Sequence, residues 1–149
     1  YKTMINILIL LIIFCILYAL FYKYGFVGGS EFKDVWCQNI RSLVLDNPNY
    51  RRVEHTTQNM QLVSMCLKPG EEIGMERHPS TTQFIRVQQG EGKAIVGDVE
   101  FHLGNDSAIM IPPNSLHNII NTGNDVLKLY TIYSPPEHRK NLVQPEKMI

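Results

Sequence analysis

Residues 93–121 read KAIVGDVEFHLGNDSAIMIPPNSLHNIIN, and this stretch decides the fold. Four short apolar or alternating runs are cut by turn signals. The first, 93–96, stops at Gly97-Asp98, where both residues tolerate positive φ and suit a tight hairpin. The second, 99–103, stops at Gly104-Asn105-Asp106. The third, 107–111, stops at Pro112-Pro113-Asn114, and the fourth, 117–120, at Asn121 through Asp125. Runs so short and so close together are strands of a barrel or sandwich.

The same texture extends in both directions. Residues 60–67 end at Lys68-Pro69-Gly70, residues 84–87 at Gly90 and Gly92, and residues 126–133 at Ser134-Pro135-Pro136. From Tyr50 onward there is no helix-length periodic segment and no internal repeat. Met60, Met65, Met75 and Met110 read as core residues. Arg86 has the opposite strand parity to Gln83, and Tyr130 the opposite parity to Tyr133, so at most one of these tyrosines lines an interior.

The N-terminal part is different. Residues 4–22 read MINILILLIIFCILYALFY, 19 residues with Asn6 as the clear polar interruption. At about 1.5 Å per residue, a helix of this length crosses a hydrocarbon core of roughly 30 Å. Lys2 and Lys23 bracket the run, and Tyr18, Tyr22 and Tyr24 cluster at its far boundary, where amphipathic rings favour the interface. No small-residue cleavage site follows, so a membrane span is expected rather than a signal peptide. The chain starts at Tyr1 rather than Met, so residues ahead of it are expected to be missing.

Gly25, Gly28, Gly29 and Ser30 form a flexible exit. Phe32, Val35, Trp36, Ile40, Leu43 and Val44 then recur at near-helical spacing, which predicts a short amphipathic helix over 31–45. The expected organisation is an anchor over 1–24, linker and amphipathic helix over 25–42, a β-barrel over 43–138, and a tail over 139–149. The tail is expected to be a loose end or a strand exchanged with a partner.

The chain has 149 residues, with 14 basic and 14 acidic side chains and zero formal net charge. It shows no basic stripe or aromatic–basic interleaving, which argues against nucleic acid as a partner. Cys15, Cys37 and Cys66 form no close pairing. They read as free thiols, with Cys37 and Cys66 as small buried hydrophobes, and they place the barrel in a reducing compartment.

Two segments carry the chemistry. One runs Gly70-Glu-Glu-Ile-Gly-Met-Glu76-Arg-His78, then Gln83, then Gly90. The other runs Gly104, Pro112-Pro113-Asn114-Ser-Leu-His117, then Asn121. This pattern resembles the paired motifs of the cupin family. The first of those runs Gly, five residues, His-x-His, three or four residues, Glu, six residues, Gly. The second runs Gly, five to seven residues, Pro-x-Gly, two residues, His, three residues, Asn. Asn47 to Arg52, Gln83 to Arg86 and Leu129 to His138 also look like small bacterial-type cupins, so the resemblance covers about residues 43 to 140.

The resemblance implies an all-β fold, a cupin (jelly-roll, double-stranded β-helix) barrel, here preceded by one transmembrane α-helix. It also implies a metal set of Glu76, His78, Gln83 and His117, matching the family's three histidines and glutamate. Glu76 replaces a histidine and Gln83 the glutamate, leaving two imidazoles, a carboxylate and a weaker amide donor for Fe, Mn, Zn or Ni. Residues 76 and 78 would share a strand face. Asn114, in the place of a glycine, can take the left-handed conformation. The alternative is a metal-free, hydrogen-bonded polar cluster. His55, His102 and His138 read as surface or turn residues.

Two functions follow as expectations. The first is a structural or binding module in a membrane-associated assembly, a virus particle being one setting, with protein partners or a homodimer and a small-molecule ligand. The second is a metal-dependent enzyme, a dioxygenase or a sugar isomerase or epimerase, acting on a small polar substrate.

Overall fold

In the computed structural model, residues 12–16 and 35–148 are described. The chain divides into two units, Tyr1–Val35 and Trp36–Ile149. In the first, residues 12–16 are helical and exposed. The expected membrane span over 4–22 otherwise lies outside the described residues. Among those described, no helix is long and apolar enough to cross a membrane.

The second unit begins with a short helix, α1 (Ile40–Asp46). Its start is capped by Asn39, whose side-chain oxygen accepts a bond from Ser42 N at 3.1 Å. The helix is shorter than the 31–45 segment expected. Residues 35–39 are not helical, and residues 31–34 lie outside the described set. A cap at Asn39 outweighs the apolar spacing upstream of it, and only Val44 of the helix is buried.

Nine strands follow: β1 (Arg51–Thr56), β2 (Gln61–Leu67), β3 (Thr82–Gln89), β4 (Gly92–Val96), β5 (Val99–Leu103), β6 (Ala108–Ile111), β7 (His117–Asn121), β8 (Leu127–Ser134) and β9 (Val143–Gln144). They form a six-stranded sheet, β6-β3-β8-β2-β1-β9, and a three-stranded sheet, β5-β4-β7. All pairings are antiparallel. The non-sequential neighbours β2–β8, β3–β8 and β4–β7 are jelly-roll wiring.

Alternation determines which residues are inside. Leu127, Leu129, Thr131 and Tyr133 of β8 are fully buried, and their cross-strand partners Leu67, Met65, Val63 and Gln61 are buried with them. Each buried Leu or Met contributes about 1.5–3 kcal/mol relative to exposure.

The β4–β5 hairpin turns on Gly97 at φ +57°, while Asp98 does not take positive φ, so only the first central residue carries the turn. Gly90, at φ +95°, leads out of β3, and a Cβ there would lie 2.6 Å from the Val126 carbonyl oxygen. Within the chain the tail carries β9 rather than a loose end. Val143 and Gln144 pair with Arg52 and Arg51 of the same chain.

Several burial expectations need correction. Met65 is core, but Met60, Met75 and Met110 are exposed. Met60 follows a turn closed by Thr57, Met75 sits in an irregular loop, and Met110 is on the outward face of the edge strand β6. Cys37 is exposed and Cys66 half-buried rather than core.

Candidate metal centre

The centre sits where β3 and β7 begin and β8 ends. Glu76 is not on a regular strand, contrary to expectation. A backbone bridge fixes it instead: Glu76 N donates to His117 O at 2.8 Å, and His117 N to Glu76 O at 2.9 Å. His78 is in the loop that follows, and its carbonyl accepts from Asn114 N at 2.7 Å. Asn114 takes the left-handed conformation, φ +65°, that the turn before His117 requires. Backbone bonds thus join the two sequence motifs before any side chain is considered.

All four expected residues meet. His78 Nε2 lies 3.2 Å from Glu76 Oε1, and His117 Nε2 lies 3.3 Å from the same oxygen. Gln83 Oε1 is 2.8 Å from His117 Nε2. The donor atoms of Glu76, His78 and His117 all lie within 4.8 Å of one another. Gln83 and His117 are buried, and the Glu76 and His78 side chains are 21% and 13% exposed, so the solvent side of the site is theirs.

The hydrogen bonding is incomplete in a specific way. Glu76 Oε1 and His78 Nε2 are buried and, despite their proximity, make no hydrogen bond among the described residues. His117 faces two acceptors, Ser115 O at 2.8 Å through Nδ1 and Gln83 Oε1 through Nε2. A neutral imidazole has one N–H, so it can donate to only one of them. The Gln83 amide is oriented by its own N–H, which donates to the Tyr133 hydroxyl at 3.0 Å.

A divalent cation among these atoms fits both facts. Nδ1–H would donate to Ser115, while Nε2, Gln83 Oε1, Glu76 Oε1 and His78 Nε2 would turn their lone pairs to the ion. Bonds of about 2.1 Å place neighbouring octahedral donors about 3.0 Å apart. The observed spacings of 2.8, 3.2 and 3.3 Å bracket that value.

Charge is arranged accordingly. Burial alone would raise the Glu76 pKa, but the His117 and His78 imidazoles outweigh it and hold the carboxyl below its ordinary value. Burial would lower the His117 pKa, yet Glu76 and the Ser115 carbonyl raise it. Burial, then the Glu76 charge, push the Tyr133 hydroxyl upward, so it stays protonated.

Three residues of this region lie outside the two paired motifs. Glu137 Oε1 is 3.6 Å from His78 Nδ1 and accepts a bond from the Thr81 hydroxyl. Tyr133 holds Gln83 and places its ring edge-on to His78, centroids 5.6 Å apart. His138, expected at the surface, has a buried Nε2 and packs edge-on to Tyr133 at 5.0 Å. Strand parity does place Tyr133 inside and Tyr130 outside against Phe84. Arg86 faces away and pairs with Asp106 at 2.5 Å. A surface recess of about 530 Å³ around Gly90, Asn105 and Asp125 lies at the other end of the strands.

Residues 63–133 match the family model described as "Cupin domain". A crystal structure from Bacillus halodurans superposes with a TM-score of 0.73 at 35% identity, covering 80% of this chain and 92% of that one. The chain is a cupin. An uncharacterised protein of Acanthamoeba polyphaga mimivirus is 45% identical to this cupin over 113 residues, which is 73% of this chain and 71% of the relative. The uncharacterised Bacillus subtilis protein YrkC is 41% identical over 115 residues. The match to YrkC spans 62% of that protein, less than two thirds of its length.

Proposed function

We propose that this cupin is a metal-centred ligand-binding module. Glu76, His78 and His117 would hold a divalent transition ion such as Fe, Mn, Zn or Ni, with Gln83 as a weaker fourth donor. The observation that carries this reading is the convergence of Glu76, His78 and His117, whose donor atoms all lie within 4.8 Å of one another, beside a histidine flanked by two acceptors.

The bound ion would act as a Lewis acid toward a ligand oxygen. The cupin's own residues do the remainder. Gln83 and Tyr133 fix the inner wall, Glu137 orients His78, and the buried β-sheet excludes water from all but the Glu76–His78 side. An oxygenase or isomerase on a small polar substrate is the enzymatic form of the same reading, favoured by that one solvent-facing approach.

We also infer that residues 4–22 attach the cupin to a membrane, with the barrel in a reducing compartment and engaged with a protein partner or second copy. The length of the apolar run and the three free cysteines support this. The mimivirus origin of one relative supports a viral setting. Flotation of the expressed chain with liposomes tests it, and recovery at the bottom of the gradient rejects it.

Elemental mass spectrometry on wild type and on a His78→Ala/His117→Ala double variant tests the metal. Near-stoichiometric ion in the wild type, lost in the variant, is expected. A folded wild type that takes up no ion on reconstitution overturns the reading.

A further inference from the structure

The barrel interior holds more unused polar atoms than a metal accounts for. Arg51 Nε, Thr131 Oγ1 and His138 Nε2 are all buried without a hydrogen-bond partner among the described residues. Strand register places Arg51 and Thr131 on one wall. Arg51 is opposite Met65, while Thr131 is opposite both Val63 and Ile85. Met65, Val63 and Ile85 are core residues, and cross-strand partners share a face. Tyr133, on the same face of β8 as Thr131, touches His138 on one side and Gln83 on the other. The wall therefore runs from Arg51 through Thr131 to the metal donors.

The charges along it do not cancel locally. The Arg51 guanidinium lies over the Tyr50 ring at 5.4 Å and gives Nη1 to the neutral Gln144 amide at 3.3 Å. The nearby carboxylates are otherwise engaged. Glu54 takes Arg52 and Ser64, Glu137 takes Thr81 and His78, and Glu76 faces the imidazoles. Burial, then the Arg51 charge, hold the His138 ring neutral with a pKa of about 4. What is left is one fixed positive charge, a hydroxyl and a neutral imidazole on an apolar wall.

We propose that Arg51, Thr131 and His138 form a subsite for one carboxylate of a small organic acid, whose other end is directed at the metal donors. A guanidinium edge matches a planar carboxylate and forms charge-assisted bonds with it. A phosphate dianion would place both charges on this one cation, whereas a dicarboxylate leaves one there and carries the other to the metal donors. The part of the inference that concerns the ligand's far end rests on the metal reading. The Arg51 subsite does not.

Calorimetric titration of malonate and of its neutral isostere malonamide into the full chain, both Co(II)-loaded and chelator-treated, tests this. Malonate is expected to bind in both states, at least about tenfold tighter than malonamide, and Arg51→Met to weaken it at least about tenfold. Equal binding of the two compounds overturns the subsite. So does wild-type malonate affinity in a folded Arg51→Met, or the absence of malonate binding in both states. If Arg51→Met does not fold, Thr131→Val and Arg51→Lys decide: a loss of at least threefold sustains the subsite and wild-type affinity overturns it. Co(II) uptake is measured in the same samples. Malonate binding that depends on Arg51 in a chain taking up no Co(II) would reject the metal reading and leave the subsite standing.

Discussion

Glu137 Oε1 lies 3.6 Å from Nδ1 of His78, on the side of the imidazole away from Glu76, and the Thr81 hydroxyl donates to that same carboxylate oxygen. The distance is longer than that of a formed hydrogen bond. A carboxylate in this place fixes the ring orientation. Glu137→Gln is expected to lower metal affinity about 10–100-fold while leaving the thermal transition of the chelator-treated protein nearly unchanged. Competition against a fluorescent chelator measures the first, and an unaltered affinity would remove Glu137 from the centre.

Gln83 offers a second substitution. It is fully buried and 2.8 Å from His117 Nε2. Gln83→Glu supplies a stronger donor and should raise divalent-ion affinity about tenfold or more. Without an ion it buries a second carboxylate near Glu76, so the chelator-treated variant should lose about 1–3 kcal/mol. A variant stabilised in both states would mean that the cluster is a hydrogen-bonded network and not a metal centre.

His138 gives the pH dependence. Burial first, and Arg51 second, depress its pKa to about 4 in the folded state, against about 6.5 when unfolded. Between these values the unfolded chain binds more protons, so stability rises with pH. The contribution is fully present above about pH 6.5 and is lost as pH falls toward 4. With the ring partly exposed, it amounts to something on the order of 1 kcal/mol. Urea unfolding in chelator at several pH values, wild type against His138→Gln, should show a difference confined to that window. A difference that grows on the alkaline side would contradict the assignment.

Gly90 tests the barrel frame at the end far from the centre. At φ +95°, a Cβ there would lie 2.6 Å from the Val126 carbonyl oxygen, which is backbone and cannot swing aside. Gly90→Ala is expected to destabilise by about 2 kcal/mol or more, from left-handed strain and the clash together. The denaturation midpoint reads this directly.

The strands legible in the sequence were those whose alternation is bounded by Gly, Pro or Asn. Strand β5 (Val99–Leu103) coincides with its reading, and β2, β4, β6 and β7 differ from theirs by a residue at an end. Strand β9 has two residues, too few to alternate, and exists only because Arg51 and Arg52 pair with it. Strand β1 carries Arg51, Arg52, Glu54 and His55, so its apolar face is barely visible before the fold supplies Met65 and Val63 opposite. Motif spacing drew Glu76, His78, Gln83 and His117 together. It carried no information about Glu137 or His138, whose places depend on where the chain turns after β8. Nor could the near-helical spacing over 31–45 anticipate that the Asn39 cap would start the helix at Ile40.

The backbone bridge between Glu76 and His117 has a consequence for assembly. Two donors separated by 41 positions are already side by side through main-chain bonds alone. An arriving ion would therefore find its cage built, and little ordering entropy would be lost on capture. Folding and loading would then be separable events in this barrel, unlike a zinc finger, which has no structure until its ion arrives. Under the metal reading, the same polypeptide would persist without its ion and be charged, discharged or exchanged by whatever ions its compartment supplies.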